Sequence, residues 1–248
     1  MAEIIFLMMP RRWLKVTSVL FGVAGLIAHT IYLIVYHPTA ANAHGSLLLL
    51  GWVFGVFYLS AMVHSRTRVW AVFVLPLVII LVGLSYGFRA DQSTTWFSGN
   101  HFWGTVHGLL LLLGYVGITM GFLASIMYLI QSRRLRQKKA LLGGFKLLNL
   151  ERLEDMNRRG IYLAMPFLTV GLLLGILRLP WTEFANQQWT TPKIVATAGL
   201  WLTMVLLIYL RYSTSVASRR LAWFTIACFV LMLCSLLASH PFAPGVKP

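Results

Sequence analysis

The chain has 248 residues, 58% of them hydrophobic and only 11% charged, with a mean hydropathy of +0.77. Those values exclude an ordinary soluble domain and make a bilayer the solvent. A net charge of +15 would suggest nucleic acid in a soluble protein, but here the charges sort onto alternate loops, which is a topological signal.

Seven apolar stretches follow one another: Thr17–Tyr36, Gly45–Val63, Val69–Phe88, Gly104–Ile130, Gly160–Leu177, Pro192–Leu210 and Leu221–Ala238. Each approaches the ~20 residues needed to cross ~30 Å of hydrocarbon, and backbone hydrogen bonding in lipid makes each a helix. The expected fold is therefore all-α, a polytopic transmembrane bundle of about seven spans forming one membrane domain over residues 1–248. The first span follows Arg11 and Arg12 and precedes Ala41-Asn42-Ala43, which resembles a signal cleavage site. Its apolar run exceeds the 7–15 residues of a signal core, so an uncleaved span is expected.

Between spans 4 and 5 lies a long basic connection, Arg133 to Gly160. Its first part is expected to extend span 4, Gly143-Gly144 to break it, and Leu147, Leu150, Leu153 and Met156 to line an amphipathic helix at the membrane surface. Between spans 5 and 6, Pro180 and Pro192 bound a loop carrying Trp181 and Trp189. Four G-x-x-x-G pairs, Gly51/Gly55, Gly104/Gly108, Gly117/Gly121 and Gly171/Gly175, fall within spans and allow close helix approach. The cysteines, Cys228 and Cys234, share span 7 about 120° apart and cannot bridge without distortion.

Arg11, Arg12, Lys15, Arg66, Arg68, the Arg133–Arg159 segment, Arg211, Arg219 and Arg220 all fall on one side of the predicted membrane. Arg89, Arg178, Lys193 and Lys247 fall on the other. The positive-inside rule then puts the N-terminus in the cytoplasm and the C-terminus outside. On that topology His37, His44, His101, His107 and His240 gather at the outer side, together with Trp96, Trp103, Trp181 and Trp189. His64 lies at the inner end of span 2, and His29 lies within span 1, where it is expected to be packed and hydrogen-bonded. His37, His44 and His101 read as loop or surface residues.

Acids are few, and none falls inside a span; Asp91 and Glu183 belong to outer loops. Proton pumps and ion-coupled carriers place a carboxylate at membrane depth, so that class loses ground. Phosphate-cradling loops, H-E-x-x-H zinc motifs and G-x-S-x-G elbows are absent from the sequence. What remains is histidine on a Trp-rich apolar face, which suits a planar aromatic metal complex: haem iron takes imidazole axially, and the porphyrin takes aromatic and aliphatic contact. His107 begins span 4 and His240 ends span 7 at the same boundary, so the two can share one iron.

From Trp103 to Pro244 the sequence resembles the haem-handling cytochrome c assembly family that includes CcsA, CcmC and HemX-like members. "HGLLLLLGYVGITMGFLASIMYLIQSRRLRQKK" resembles a family helix that opens on histidine and ends in a basic segment. "LERLEDMNRRGIYLAMPFLTVGLLLGIL" resembles the following L-x-x-L-x-x-x-N-x-R stretch and its span, and "SHPFAPG" the closing histidine segment. Spans 1–3, residues 13–102, are generic by comparison, and residues 103–248 are the family-like core.

The resemblance implies haem held at the outer face, with His107 and His240 as axial ligands. Trp181 and Trp189 match tryptophans of the family's Trp-rich signature, and Pro192 and Lys193 match its P-K. Thr190 and Thr191 stand where the signature usually has Trp-Asp, and Ile194 where an acid is common. The resemblance further implies a multi-pass protein of the bacterial plasma membrane that presents haem without catalysing a bond-making step. Its partners would be haem, membrane lipid, apocytochrome c and a second assembly protein, not nucleic acid. A regulatory or scaffolding protein that has lost the ligand is the alternative, and a small-molecule transporter is a weaker third because the spans lack acids.

Overall fold

A computed structural model describes residues 12–38, 43–63, 68–87, 102–137, 149–177, 191–213 and 216–238. They form seven helices: α1 (Arg12–Tyr36), α2 (Ala43–Val63), α3 (Arg68–Ser85), α4 (Phe102–Arg136), α5 (Leu150–Leu177), α6 (Pro192–Ser213) and α7 (Ser218–Leu237). Among the described residues there is no strand. Six helices contain a segment long and apolar enough to cross a membrane, and the apolar part of α3, Trp70–Ser85, is shorter. The chain is a polytopic helical membrane protein, as its composition requires.

Two of the expected elements differ in detail. No separate surface helix runs over Leu150–Met156; α5 passes unbroken from Leu150 to Leu177, with Pro166 inside it. The reason is packing: Leu153 and Asn157 are buried along with Ile161, Ala164 and Leu168, so the 3–4 spacing continues one apolar stripe and faces the bundle, not the bilayer surface. Leu147 lies outside the described residues.

Helices α4 and α5 share the most extensive interface, followed by α2 with α3, α6 with α7 and α4 with α7. Glycine makes the first of these possible. A Cβ on Gly117 would stand 2.6 Å from the Gly160 carbonyl oxygen, and one on Gly160 would stand 2.7 Å from the Gly117 carbonyl, so the two backbones touch. In lipid, where helices gain nothing from expelling water, such van der Waals contact is the main attraction. Phe122 and Phe229 stack between α4 and α7 with centroids 3.9 Å apart.

Polar side chains tie the same four helices. The Asn157 side-chain NH2 of α5 shares its two hydrogens among the Gly121 carbonyl, Ser125 and Thr225, at 3.1, 2.7 and 2.9 Å, and its oxygen accepts from Arg211 of α6 at 2.5 Å. Beside this knot lies a cavity of about 370 Å³ lined by Tyr128, Glu154, Arg158 and Ser218 among others. Arg158 is engaged there by Asp155 at 2.6 Å.

Helix α1 is peripheral. Leu20, Phe21, Ile27, Ile31, Ile34 and Val35 are all exposed, an outer face fit for lipid and nothing else. It ends where Tyr36 gives way to His37, whose φ of 43° lets its N–H reach the Leu33 carbonyl at 3.0 Å, and Pro38 forbids continuation.

Of the four sequence-level glycine pairs, Gly104 meets nothing within 4 Å and so makes no close approach. We expect Gly117→Ala to destabilise the bundle by about 1–3 kcal/mol through overpacking, and Gly104→Ala to leave it unchanged, read as thermal unfolding in detergent. Equal behaviour of the two variants would remove the backbone contact as a determinant of the fold.

Candidate functional site

Three described histidines behave alike at one ring nitrogen. His107 of α4 meets the Gly171 carbonyl of α5 through Nδ1 at 2.6 Å. His44 of α2 meets the Ser85 carbonyl of α3 through Nδ1 at 2.9 Å. His29 of α1 bonds the Leu48 backbone of α2, and since its Nε2 is without a partner the bond belongs to Nδ1. A carbonyl can only accept, so each ring is the tautomer that carries hydrogen on Nδ1 and a bare lone pair on Nε2.

What becomes of that lone pair separates the three. In His44 it faces the Tyr32 hydroxyl at 3.4 Å, and in His29 it is shut inside the protein with no partner. In His107 it has no partner among the described residues, and it is not sealed in as His29 Nε2 is. Of these three imidazoles, His107 is the one that offers a ligand nitrogen to something outside the chain. The Nδ1 bond also fixes ring orientation and raises the basicity of Nε2, the usual support for a metal-ligating histidine.

The slot that holds the ring is cut by glycine. His107 lies over Gly175, where a Cβ would stand 2.8 Å from Cε1 and 3.2 Å from Nδ1. One helical turn on, Leu111 fills the same groove over Gly171, where a Cβ would stand 2.9 Å from Leu111 Cδ2. The Gly171/Gly175 pair therefore seats two successive turns of α4, and the exposed Gly171 carbonyl is the one that captures the imidazole.

A hydroxyl chain closes this end of the bundle. Thr197 of α6 donates to the Lys193 carbonyl at 2.7 Å and meets Ser235 of α7 at 2.5 Å. With its proton spent on Lys193, Thr197 accepts from Ser235, which in turn bonds the buried Tyr115 of α4. The first turn of α6 is thereby fixed relative to α4 and α7. Trp201 of α6 donates to Thr169 of α5 at 3.1 Å and completes the ring of four helices.

Of the residues singled out in the sequence, the structure describes His107; His240, Trp181 and Trp189 lie outside the described residues, as do His101 and Trp96. His44, expected at a loop surface, is in fact buried at 5% exposure. It sits in the first turn of α2, where α1 and α3 close over it through Tyr32 and Ser85. Among the described residues no group of His, Cys, Asp and Glu is arranged to hold a metal ion by itself.

The cytochrome C assembly protein family model matches residues 40–244. The chain belongs to the cytochrome c assembly family. It is 24% identical over 240 residues to the cytochrome c biogenesis protein CcsA of Guillardia theta, covering 85% of this chain and 76% of that one. It is 23% identical over 131 residues to protein HemX of Bacillus subtilis (strain 168), covering 52% of this chain and 46% of that one. No solved structure matches. The match begins at residue 40, so α2 and α3 belong to this cytochrome c assembly protein's family region as much as α4–α7 do.

Sequence reasoning missed the glycines as part of the site. The signal was the offset between His107 and Gly171/Gly175: a bulky polar ring at a helix interface needs a facing residue without a Cβ, but which facing helix supplies it is not written in the chain. We expect 15N-histidine spectra of the purified protein to show His107 protonated at Nδ1 only, and Gly175→Leu to abolish its coupling to the Gly171 carbonyl. A His107 resonance unchanged in Gly175→Leu would contradict the slot.

Proposed function

We propose that this cytochrome c assembly protein holds and presents haem at the outer end of α4–α7. His107 Nε2 serves as one axial ligand and His240 as the other, with Trp181 and Trp189 as the aromatic platform. The observation that carries the reading is the free Nε2 of His107 on a ring whose Nδ1 is locked to Gly171. Haem suits these residues: bound, it supplies an iron that takes neutral imidazole, and the apolar helix ends around His107 suit its faces. The chain's own part is to bind and orient. Gly171 keeps the hydrogen on Nδ1 and the ring correctly turned, Gly175 gives it room, and the Tyr115–Ser235–Thr197 chain keeps α6 in register with it.

In this reading the N-terminus is cytoplasmic, and the basic ends of α4 (Arg133, Arg134, Arg136) and α6 (Arg211) face inward. The membrane is the bacterial plasma membrane, the partners are apocytochrome c and a second assembly protein, and the chain itself catalyses no bond-making step. A scaffolding or regulatory role without haem is the second reading; it is favoured by Thr190 and Thr191, which stand where the family signature has Trp-Asp.

The test is colour. Haemin added to the purified protein should give a shifted Soret band. His107→Ala should weaken binding by about a hundredfold or more, and Gly175→Leu by about tenfold or more, in line with the cost of disturbing metal ligands and their supports. His44→Ala should leave binding unchanged. Absence of any band would sink the haem reading and leave the scaffold; a band indifferent to His107→Ala would remove this ligand.

Orientation has its own check. A cysteine placed at Arg134 in a Cys228→Ala/Cys234→Ala background should react with an impermeant maleimide only in inverted vesicles. Labelling from the outside of intact cells would reverse the topology.

A further inference from the structure

The cavity of about 370 Å³ at the Arg136 end of the bundle lies away from His107, and its walls carry charge of both signs. All four helices α4–α7 contribute to it. Arg211, in the last turn of α6, is half-buried there, and its guanidinium is held by a neutral group, the Asn157 side-chain oxygen. A guanidinium has five N–H groups, and the others on Arg211 have no acceptor among the described residues. Glu151 and Glu154 of α5 line the same cavity, and among the described residues neither enters a salt bridge. The ion pairs present use Asp155, which takes Arg158 at 2.6 Å and Arg159 at 3.9 Å.

Arg211 is thus fixed in position while its charge is cancelled by no direct contact. Ser218, also on the wall, opens α7, whose first turn has no side-chain cap, so positive partial charge joins that of Arg211. Leu153, Leu221 and Ala222 supply an apolar remainder. A ligand matched to this lining carries an anion for Arg211, a hydrogen-donating cation for the two glutamates, and carbon for the leucines. The bilayer is the nearest source of such a molecule. Helices α5 and α6, which provide the glutamates and Arg211, meet over far less surface than α4 and α5 do. They are bridged here by Arg211 on Asn157 and by Tyr162 stacked on Tyr212 at 5.7 Å, and Leu163 and Tyr212 are exposed as bilayer-facing residues are.

We propose that this cavity holds the headgroup of an ethanolamine phospholipid, with its phosphate on Arg211 and its ammonium on Glu151 and Glu154. Basic pockets between spanning helices take lipid headgroups in general; the added acids make this one a site for a zwitterion. A glycerol headgroup would satisfy Arg211 and leave the carboxylates facing a second anion, and choline has no N–H to give them. Guanidinium to phosphate and ammonium to carboxylate are both charge-assisted bonds of the stronger kind. So bound, the lipid ties α5, α6 and α7 together at the end of the bundle away from His107.

The experiment is native mass spectrometry of the full chain in detergent, supplied with equal amounts of dioleoyl phosphatidylethanolamine and dioleoyl phosphatidylglycerol. The wild type should retain the ethanolamine lipid about fivefold more than the glycerol lipid. Glu151→Gln/Glu154→Gln, which leaves the Arg211–Asn157 clasp intact, should erase that preference or reverse it toward phosphatidylglycerol. Arg211→Met should lower retention of both lipids, and Arg211→Lys should recover part of it; thermal unfolding of each variant checks that the bundle is folded. Equal retention of the two lipids by the wild type, or a preference for phosphatidylglycerol, would overturn the proposal. So would an ethanolamine preference that survives the double glutamine variant. Soluble phosphoethanolamine that binds while the intact lipid does not would overturn the bilayer as the source.

Discussion

Inside hydrocarbon a polar side chain has no water to turn to, so it must find its partner within the protein, on its own helix or a neighbouring one, or forgo one. That constraint organises this protein. Several of its hydroxyls turn back to a carbonyl of their own helix, as Thr30, Thr169 and Thr203 do, while His107, His44, Trp52 and Asn157 reach across helix boundaries. His107 to Gly171, His44 to Ser85, Trp52 to Thr30 and Asn157 to Gly121 are the same solution repeated. Each joins two helices whose apolar surfaces would be as content against lipid as against each other.

Two of these carbonyls, at Gly171 and Gly121, are exposed by a missing side chain, and this links the polar ties to the glycines. Gly171 accepts from His107 while Gly175 makes room for its ring; Gly121 accepts from Asn157, and its neighbour Gly117 touches the Gly160 backbone. Close approach and hydrogen bonding are therefore one feature seen twice. They concentrate on α4 and α5, the pair whose contact is most extensive.

The two ends of α4–α7 use this feature differently. At the Arg136 end Asn157 is engaged through both its amide nitrogen and its oxygen, which suits a structural clasp. At the His107 end the bonding is left incomplete: Nε2 of His107, the hydroxyl of Thr191 and the first amides of α6 have no partner among the described residues. Within α4–α7 the polar groups therefore find partners more completely at the Arg136 end than at the His107 end.

The sequence by itself determined the solvent, the helical class and the approximate spans, and it singled out His107. Composition and run length follow from the bilayer's thickness, and the histidine was visible because imidazole is scarce in apolar helices. It also carried the family likeness in the stretch that opens at His107 and runs through Asn157 and Arg159. Only the tertiary structure decided which ring nitrogen is tied and which is free, because that depends on a carbonyl sixty-four residues away. It likewise decided that α5 begins at Leu150 as one buried stripe, and that His44 is enclosed while Nε2 of His107 is not sealed in. Periodicity reports which face of a helix is apolar; it does not report which helix that face meets, and the chemistry of this site lies in the meeting.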